Sequence, residues 1–238
     1  MKPSLVHYWC CLVLLLLASV PARTQVTLSA HVELGSRRSV HQSGNVVLWL
    51  SPVGGRADFP PSALQTPRLV QRNKSFDPHV LVVPVGAVVE FPNRDPFFHN
   101  VFSLFEGKRF DLGLYEAGST RDVRFDKAGI SYIFCNIHAE MSAVVIALDT
   151  PYYGISNPRG EVIIPQVPAG RYTLHVWYEA ALPDNLKGLT REINVSENSS
   201  TLGVIRLPQA QLQQAHKNKY GRDYDQPVPA DSPGYQRP

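Results

Sequence analysis

Apolar residues along this chain fall into short segments, and most recur with a period near two. In Arg171-Tyr172-Thr173-Leu174-His175-Val176-Trp177-Tyr178, the residues Tyr172, Leu174, Val176 and Tyr178 share one face. That alternation predicts a half-buried strand. Val46 to Leu50 and Ala143 to Leu148 are continuous apolar runs. Runs of that length predict strands buried on both faces or at a sandwich core. Val88 to Phe91, Arg121 to Phe125 and Ile130 to Phe134 read as further strands. Between them stand Pro52-Val53-Gly54-Gly55, Pro60-Pro61, Asn157-Pro158-Arg159-Gly160 and Pro168-Ala169-Gly170, all turn chemistry. Many short strands with frequent turns predict an all-β chain of β-sandwiches. The one segment with helical composition is Ala210 to Tyr220, with Gly221 as its stop. Beyond it, residues 222–238 are polar and carry Pro227, Pro229, Pro233 and Pro238, which predicts a disordered tail.

Composition refines this picture in two places. Residues 1–22 begin with Lys2, continue with an apolar run from Tyr8 to Val20, and end at Val20-Pro21-Ala22. This is the pattern of a cleaved export signal. An uncleaved signal would anchor the chain to a membrane, although the run is short for a span. Of the three cysteines, Cys10 and Cys11 lie inside this segment. Cleavage leaves Cys135 alone, so the mature chain forms no internal disulfide. A lone cysteine in an oxidising compartment needs an occupant or deep burial. The expected location is the bacterial periplasm, with secretion or membrane anchoring as alternatives. Net charge is +3 and the basic residues are scattered, which gives no support to nucleic-acid binding.

The candidate chemistry lies around that cysteine. Cys135-Asn136-Ile137-His138-Ala139-Glu140-Met141 spaces a Cys, a His and a Met three residues apart. A second His stands upstream in Asp95-Pro96-Phe97-Phe98-His99-Asn100-Val101. Taken singly, His99 reads as a structural or surface histidine, Met141 as a core residue and Cys135 as a buried thiol. Together, one thiolate, two imidazoles and a thioether make the donor set of a blue copper electron-transfer site. Cys135 ends one strand and Met141 precedes the next, so a short loop can bring three donors to one end of a sandwich. His99 comes from elsewhere and ties the site to the scaffold.

Residues 69–149 resemble the cupredoxins, the blue copper proteins. The resemblance rests on Val85-Gly86 before a strand, Phe91-x-Asn93-x-Asp95, His99-Asn100-Val101 and Cys135-x-x-His138-x-x-Met141. The ligand-loop spacing is most like that of the amicyanins. The resemblance implies a Greek-key β-sandwich holding one type 1 copper ion. His99, Cys135 and His138 would be its close ligands and Met141 the distant axial one. It implies that Asn100 hydrogen-bonds across to the Cys-bearing loop, that Phe97, Phe98, Phe134 and Tyr132 form a dry shell, and that His138 lies near the surface. A redox partner protein would dock there. Many relatives carry Pro beside the second His, where this chain has Ile137 and Ala139. The resemblance implies a carrier rather than an enzyme. No His-x-His pair of the kind multicopper oxidases use occurs in the chain.

The flanks differ. Residues 160–176, with Pro168-Ala169-Gly170-Arg171-Tyr172, resemble the carboxypeptidase-regulatory, transthyretin-like domain, and Val26 to Pro52 resembles the first strands of the same fold. The division implied is signal peptide 1–22, first strands of an Ig-like sandwich 23–66, cupredoxin domain 67–149, the rest of that sandwich 150–208, and a short helix with tail 209–238. A tandem arrangement is the alternative to insertion. Bacterial chains that join these parts are often labelled methylamine-utilisation proteins. Three functions follow as expectations: an exported one-electron carrier, a copper-delivery or buffering protein, or a carbohydrate- or surface-binding module led by the transthyretin-like domain. Outside residues 1–22, the remaining histidines, His31, His41, His79, His175 and His216, fit no ligand position and read as surface or strand residues.

Overall fold

The computed structural model describes residues 24–35, 44–55, 57, 59, 66–104, 106–208 and 216–224. The expected signal peptide, residues 1–22, lies outside them, as does His41. The described chain is built almost wholly of strands. They are β1 (Gln25–Leu34), β2 (Val47–Pro52), β3 (Val70–Arg72), β4 (Ser75–Asp77), β5 (Val80–Pro84), β6 (Val88–Pro92), β7 (His99–Ser103) and β8 (Phe110–Tyr115), followed by β9 (Thr120–Arg124), β10 (Gly129–Cys135), β11 (Ser142–Leu148), β12 (Tyr153–Ile155), β13 (Glu161–Pro168), β14 (Gly170–Trp177), β15 (Arg191–Val195) and β16 (Thr201–Leu207).

These strands stack in four layers. The outermost is the sheet β13-β1-β16, and beside it lies β12-β2-β14-β15. Their shared core holds Leu28, Ala30, Val32, Leu48, Leu50, Val162, Ile164, Tyr172, Leu174 and Val176. The third layer is β5-β11-β10-β7-β8. The pairs β6-β9 and β3-β4 cover its far side, around Leu69, Phe91, Val101, Ile133, Cys135, Met141 and Val145. Strands β1 and β2 precede the third layer in the chain, yet they pair with strands that follow residue 150.

The two continuous apolar runs explain why the stack has four layers rather than two separate pairs. Strand β11 turns Ala143, Val145 and Ala147 to one core and Val144, Ile146 and Leu148 to another. Strand β2 does the same, with Leu48 and Leu50 on one side and Val47 on the other. The middle core between layers two and three is formed by Val47, Val80, Val82, Val144, Ile146, Leu148 and Trp177. A strand with solvent on one face alternates polar and apolar residues; these two have apolar packing on both faces and so do not alternate. By contrast β1, at the outside, reads exposed and buried in turn. Across the same boundary His79 Nε2 lies 2.6 Å from Glu179 Oε2, and His79 Nδ1 lies 3.2 Å from the Ser142 carbonyl.

Two elements differ from expectation. Residues 216–220 form a turn rather than a helix, and 210–215 lie outside the described residues. Gly221 adopts φ +74°, and Asn218 Oδ1 accepts the N–H groups of Tyr220 and Arg222, closing a tight loop. The described helix is instead α1 (Pro183–Lys187), opened by Pro at its start and ended by a basic residue, both favoured there. Of the tail expected to be disordered, residues 222–224 pack on the body of the protein through Tyr224, and residues 225–238 lie outside the described residues. No helix among the described residues is long and apolar enough to cross a membrane.

Candidate metal centre

Strand phase places the cysteine. Along β10, Ser131, Ile133 and Cys135 are buried toward the core shared with β6 and β9, and Cys135 is the last residue of the strand. Its neighbour β7 runs antiparallel, with Cys135 opposite Val101. His99, two residues before Val101, therefore projects from the same face just beyond the end of β10. His99 Nδ1 lies 3.6 Å from Cys135 Sγ.

The loop that follows brings in the second imidazole. The Met141 N–H donates to the His138 carbonyl at 3.1 Å, and the Cys135 N–H to the Met141 carbonyl at 3.2 Å. These bonds fold the six-residue turn back on itself. His138 Nδ1 then lies 3.5 Å from Cys135 Sγ. One nitrogen of each His and the sulfur all lie within 4.8 Å of one another. Met141 is fully buried in the same core as Cys135. A first-row ion with bonds of about 2.3 Å to sulfur and about 2.0–2.1 Å to nitrogen, opened by about 110–120°, needs sulfur and nitrogen about 3.6–3.8 Å apart. The two Sγ–Nδ1 spacings match that requirement closely.

Hydrogen bonds fix the orientation of His99. Its Nε2 lies 2.9 Å from Asp95 Oδ2, and both side chains are buried. A proton on Nε2 leaves the Nδ1 lone pair facing the sulfur, the tautomer a metal requires. Asp95 is itself held by the N–H groups of Asn73 and Lys74, at 2.6 Å and 3.0 Å. Burial pushes the Asp95 carboxyl up, but the Lys74 N–H, the His99 ring and the Asn73 N–H outweigh it and hold the carboxyl below its usual range. Burial pushes the Cys135 thiol up, opposed in part by the N–H groups of Ile137, Asn100 and His138. Those three groups are aimed at the sulfur and favour a thiolate once a cation offsets its burial. His138 is shifted down, first by burial and then by the neighbouring His99. Neutral imidazole is the form that binds metal.

Several expected neighbours take other places. Phe97 packs against both imidazoles, its ring centre 5.3 Å from His99 and 5.5 Å from His138. Phe98 is instead 51% exposed, because residues 97 and 99 share a face and 98 points away. Tyr132 and Phe134 lie on the opposite face of β10 from Cys135, as its period of two requires. Tyr132 joins the middle core, and Phe134 meets Phe102 at a tilt and stacks on His216. Asn100 does reach the Cys-bearing loop, but through its main chain: its carbonyl accepts the Asn136 N–H at 2.9 Å. Its side-chain amide donates instead to Asp111 and to the Gly113 carbonyl on β8.

Sequence reasoning missed three contributors. Asp95 was legible in principle, since Asn93-x-Asp95-Pro96 is turn chemistry directly ahead of His99; Asn93 Oδ1 accepts the Asp95 N–H at 3.0 Å. His216 and Tyr224 carried no such signal. His216 is half-buried against Phe134, with centroids 4.3 Å apart, and is not a surface residue. Tyr224 donates its hydroxyl to the Cys135 carbonyl at 2.5 Å.

No protein-family model matches the chain, and no curated protein matches it in sequence. Solved structures similar in shape include a purple cupredoxin from Nitrosopumilus maritimus, 21% identical, over 34% of this chain and 99% of that one, with a TM-score of 0.32. A second is the Cu-containing nitrite reductase NirK from Thermus scotoductus SA-01, 23% identical, over 50% of this chain and 28% of that one, with a TM-score of 0.34. A third is a proline-to-phenylalanine variant of amicyanin in its reduced state, 18% identical, over 42% of this chain and 99% of that one, with a TM-score of 0.33.

Proposed function

We propose that this chain binds one copper ion in a type 1 site and works as an exported one-electron carrier, with residues 67–149 as the copper-holding domain set within an Ig-like sandwich. The observation that carries the reading is the convergence of Cys135 Sγ with the His99 and His138 nitrogens in a largely buried pocket. The donor set fits copper. A thiolate suits Cu(I), imidazole suits both oxidation states, and Met141 supplies a thioether from the same loop. His99, Cys135 and His138 would be the close ligands and Met141 the weak one. Bound there, copper would supply reversible one-electron chemistry.

The protein's own groups account for the rest. Asp95 holds the His99 ring in one tautomer. The N–H groups of Asn100, Ile137 and His138 stabilise negative charge on sulfur in either oxidation state. Two strands and a folded-back loop hold the donors, so little has to move when charge changes. His138 is only half-buried, and Ile137 beside it is 45% exposed. A redox partner protein would dock at this edge. The periplasm suits an exported chain whose lone mature cysteine is occupied.

A second reading, copper delivery, draws on one observation: Ile137, Ala139 and Glu140 of the ligand loop are exposed and none is Pro. A loop of that kind can open to hand Cu(I) to a chelator or partner. Slow copper loss with fast self-exchange favours the carrier; rapid loss to a Cu(I) chelator favours delivery.

The deciding experiment adds Cu(II) to the chain from residue 23 onward and records visible and EPR spectra beside Cys135→Ser. An intense thiolate-to-copper band with narrow copper hyperfine splitting, absent from the variant, is expected. A colourless protein, or a spectrum indifferent to the substitution, overturns the carrier.

A further inference from the structure

The loop carrying Cys135 and His138 has exposed residues at 137, 139 and 140 and no Pro to limit its backbone. Its own hydrogen bonds close its two ends but leave its outer side open. A segment far along the chain packs against its flank, at Cys135 and Asn136, while residues 137, 139 and 140 stay exposed. Residues 216–224 form a self-contained turn around Asn218, with Lys217 Nζ bonded to Asp223. Tyr224, His216 and Lys219 of this turn each meet the ligand loop or something attached to it.

The contacts are specific. Tyr224 donates to the Cys135 carbonyl at 2.5 Å, on the backbone of a candidate ligand. Its hydroxyl also lies 3.2 Å from His216 Nδ1. His216 stacks on Phe134, the residue before that ligand. The Lys219 N–H donates to Asn136 Oδ1 at 2.9 Å, the residue after it. Lys219 Nζ bonds Asp111 at 2.8 Å, and Asp111 accepts from the Asn100 amide at 2.7 Å. Asn100 in turn holds the Asn136 N–H and directs its own N–H toward the sulfur. Residues 134, 135 and 136 are thus each gripped, and a fourth tie reaches the sulfur's neighbour from behind.

We infer that residues 216–224 are a clamp on the metal-binding loop, with Tyr224 and His216 as positioning residues that keep Cys135 and His138 in donor geometry. The clamp supplies from outside the restraint that the loop's own composition lacks. Its role at a copper site rests on the function proposed above, but its grip on the Cys135 backbone does not. Because Tyr224 and His216 act on the backbone and on Phe134, their loss changes how often the loop opens, and not which atoms it offers.

The test uses the full chain from residue 23 onward, as Tyr224→Phe, His216→Ala and the pair together, with Lys187→Ala, at an exposed ion pair on α1, as control. In the metal-free protein, the rate of Cys135 labelling by an aromatic disulfide reads loop opening. Removing one hydrogen bond or stack raises that rate about five- to thirtyfold, while the control labels like the parent. In the Cu(II)-loaded protein, Tyr224→Phe shifts the thiolate-to-copper band and copper hyperfine splitting, which a remote structural contact would leave alone. Should the pair fold poorly, amide exchange at Ile137 and His138 in Tyr224→Phe alone gives the same reading. Labelling at the parent's rate in both single variants overturns the clamp. Faster labelling with an unchanged copper spectrum overturns the positioning role. If the parent binds no copper, the proposed function falls, and the labelling rates still decide the clamp.

Discussion

Replacing Asp95 with Asn changes one atom and tests the hydrogen-bond logic of the site. Three donors converge on this carboxylate: the Asn73 N–H on Oδ1 at 2.6 Å, and the Lys74 N–H at 3.0 Å and His99 Nε2 at 2.9 Å on Oδ2. Asp95 is 5% exposed, so water cannot take over the role. An amide keeps one oxygen. Turned to serve Lys74 and His99, it sets its NH2 against the Asn73 N–H and orphans one part-buried donor; turned the other way, it orphans two. The cheaper orientation costs about 1–3 kcal/mol for the orphan, and about 1 kcal/mol more for charge assistance lost by the bonds that remain. Asp95→Asn should therefore destabilise the metal-free chain by about 2–4 kcal/mol. For a chain of this size that lowers the melting temperature by about 4–16 °C. Asp95→Ala, which orphans all three donors, should cost more. Metal affinity of the Asn variant should fall about 10–100-fold, because the His99 ring is no longer fixed. Circular dichroism melts and metal competition are the assays. A melt within about 2 °C of the parent, or Ala milder than Asn, would refute the reasoning.

Other substitutions probe separate links. Phe97→Ala removes the ring that packs on both imidazoles and, being half-buried, should cost about 1–3 kcal/mol in denaturant unfolding; an unchanged midpoint would mean that the ring is idle. A Cβ on Gly154 would stand 2.4 Å from the Ile163 carbonyl and 2.7 Å from Val162 Cγ1, so Gly154→Ala should destabilise by about 1–3 kcal/mol, and a neutral result would show that β12 and β13 can part freely. The His79 imidazole is raised above its ordinary value of about 6.5, first by its hydrogen bond to Glu179. A raised imidazole stabilises fully below the unfolded value and loses that contribution as pH climbs through the folded one. The melting difference between the parent and His79→Ala should accordingly be full below about pH 6.5 and shrink as pH rises above it, and a constant difference would count against the pair.

Much of this was readable in the chain because period and burial are local facts. Ala143 to Leu148 and Val46 to Leu50 lack alternation because each has a core on both faces, and the sequence shows this directly. Cys135, His138 and His99 were found together because their spacing leaves few other uses for such a set. Phe98 was misplaced because the phase of the Asp95-Pro96-Phe97 turn decides which ring faces in, and a loop carries no period. The positions of Tyr132 and Phe134 were available from alternation alone: with Cys135 inward, residue 134 must face outward. The clamp was invisible for a different reason. Its composition is that of a solvated tail, and it is held by hydrogen bonds to the Cys135 carbonyl and to Asn136, which leave no hydrophobic signature.

The pairing of the first strands with the last has a consequence for how the chain is made. Gln25 pairs with Pro168, and Leu34 with Leu207. At about 5–20 residues per second, β1 and β2 leave the ribosome on the order of ten seconds before their partners exist. During that interval the apolar faces of Leu28, Val32, Leu48 and Leu50 have nothing to cover them. The third layer, whose strands are contiguous in the chain, can pair in the meantime, but the loop bearing Cys135 still waits for Lys219 and Tyr224. Ordered synthesis thus leaves both the first strands and the ligand loop waiting for the end of the chain, and it makes the first strands the part of the molecule most in need of a holding chaperone.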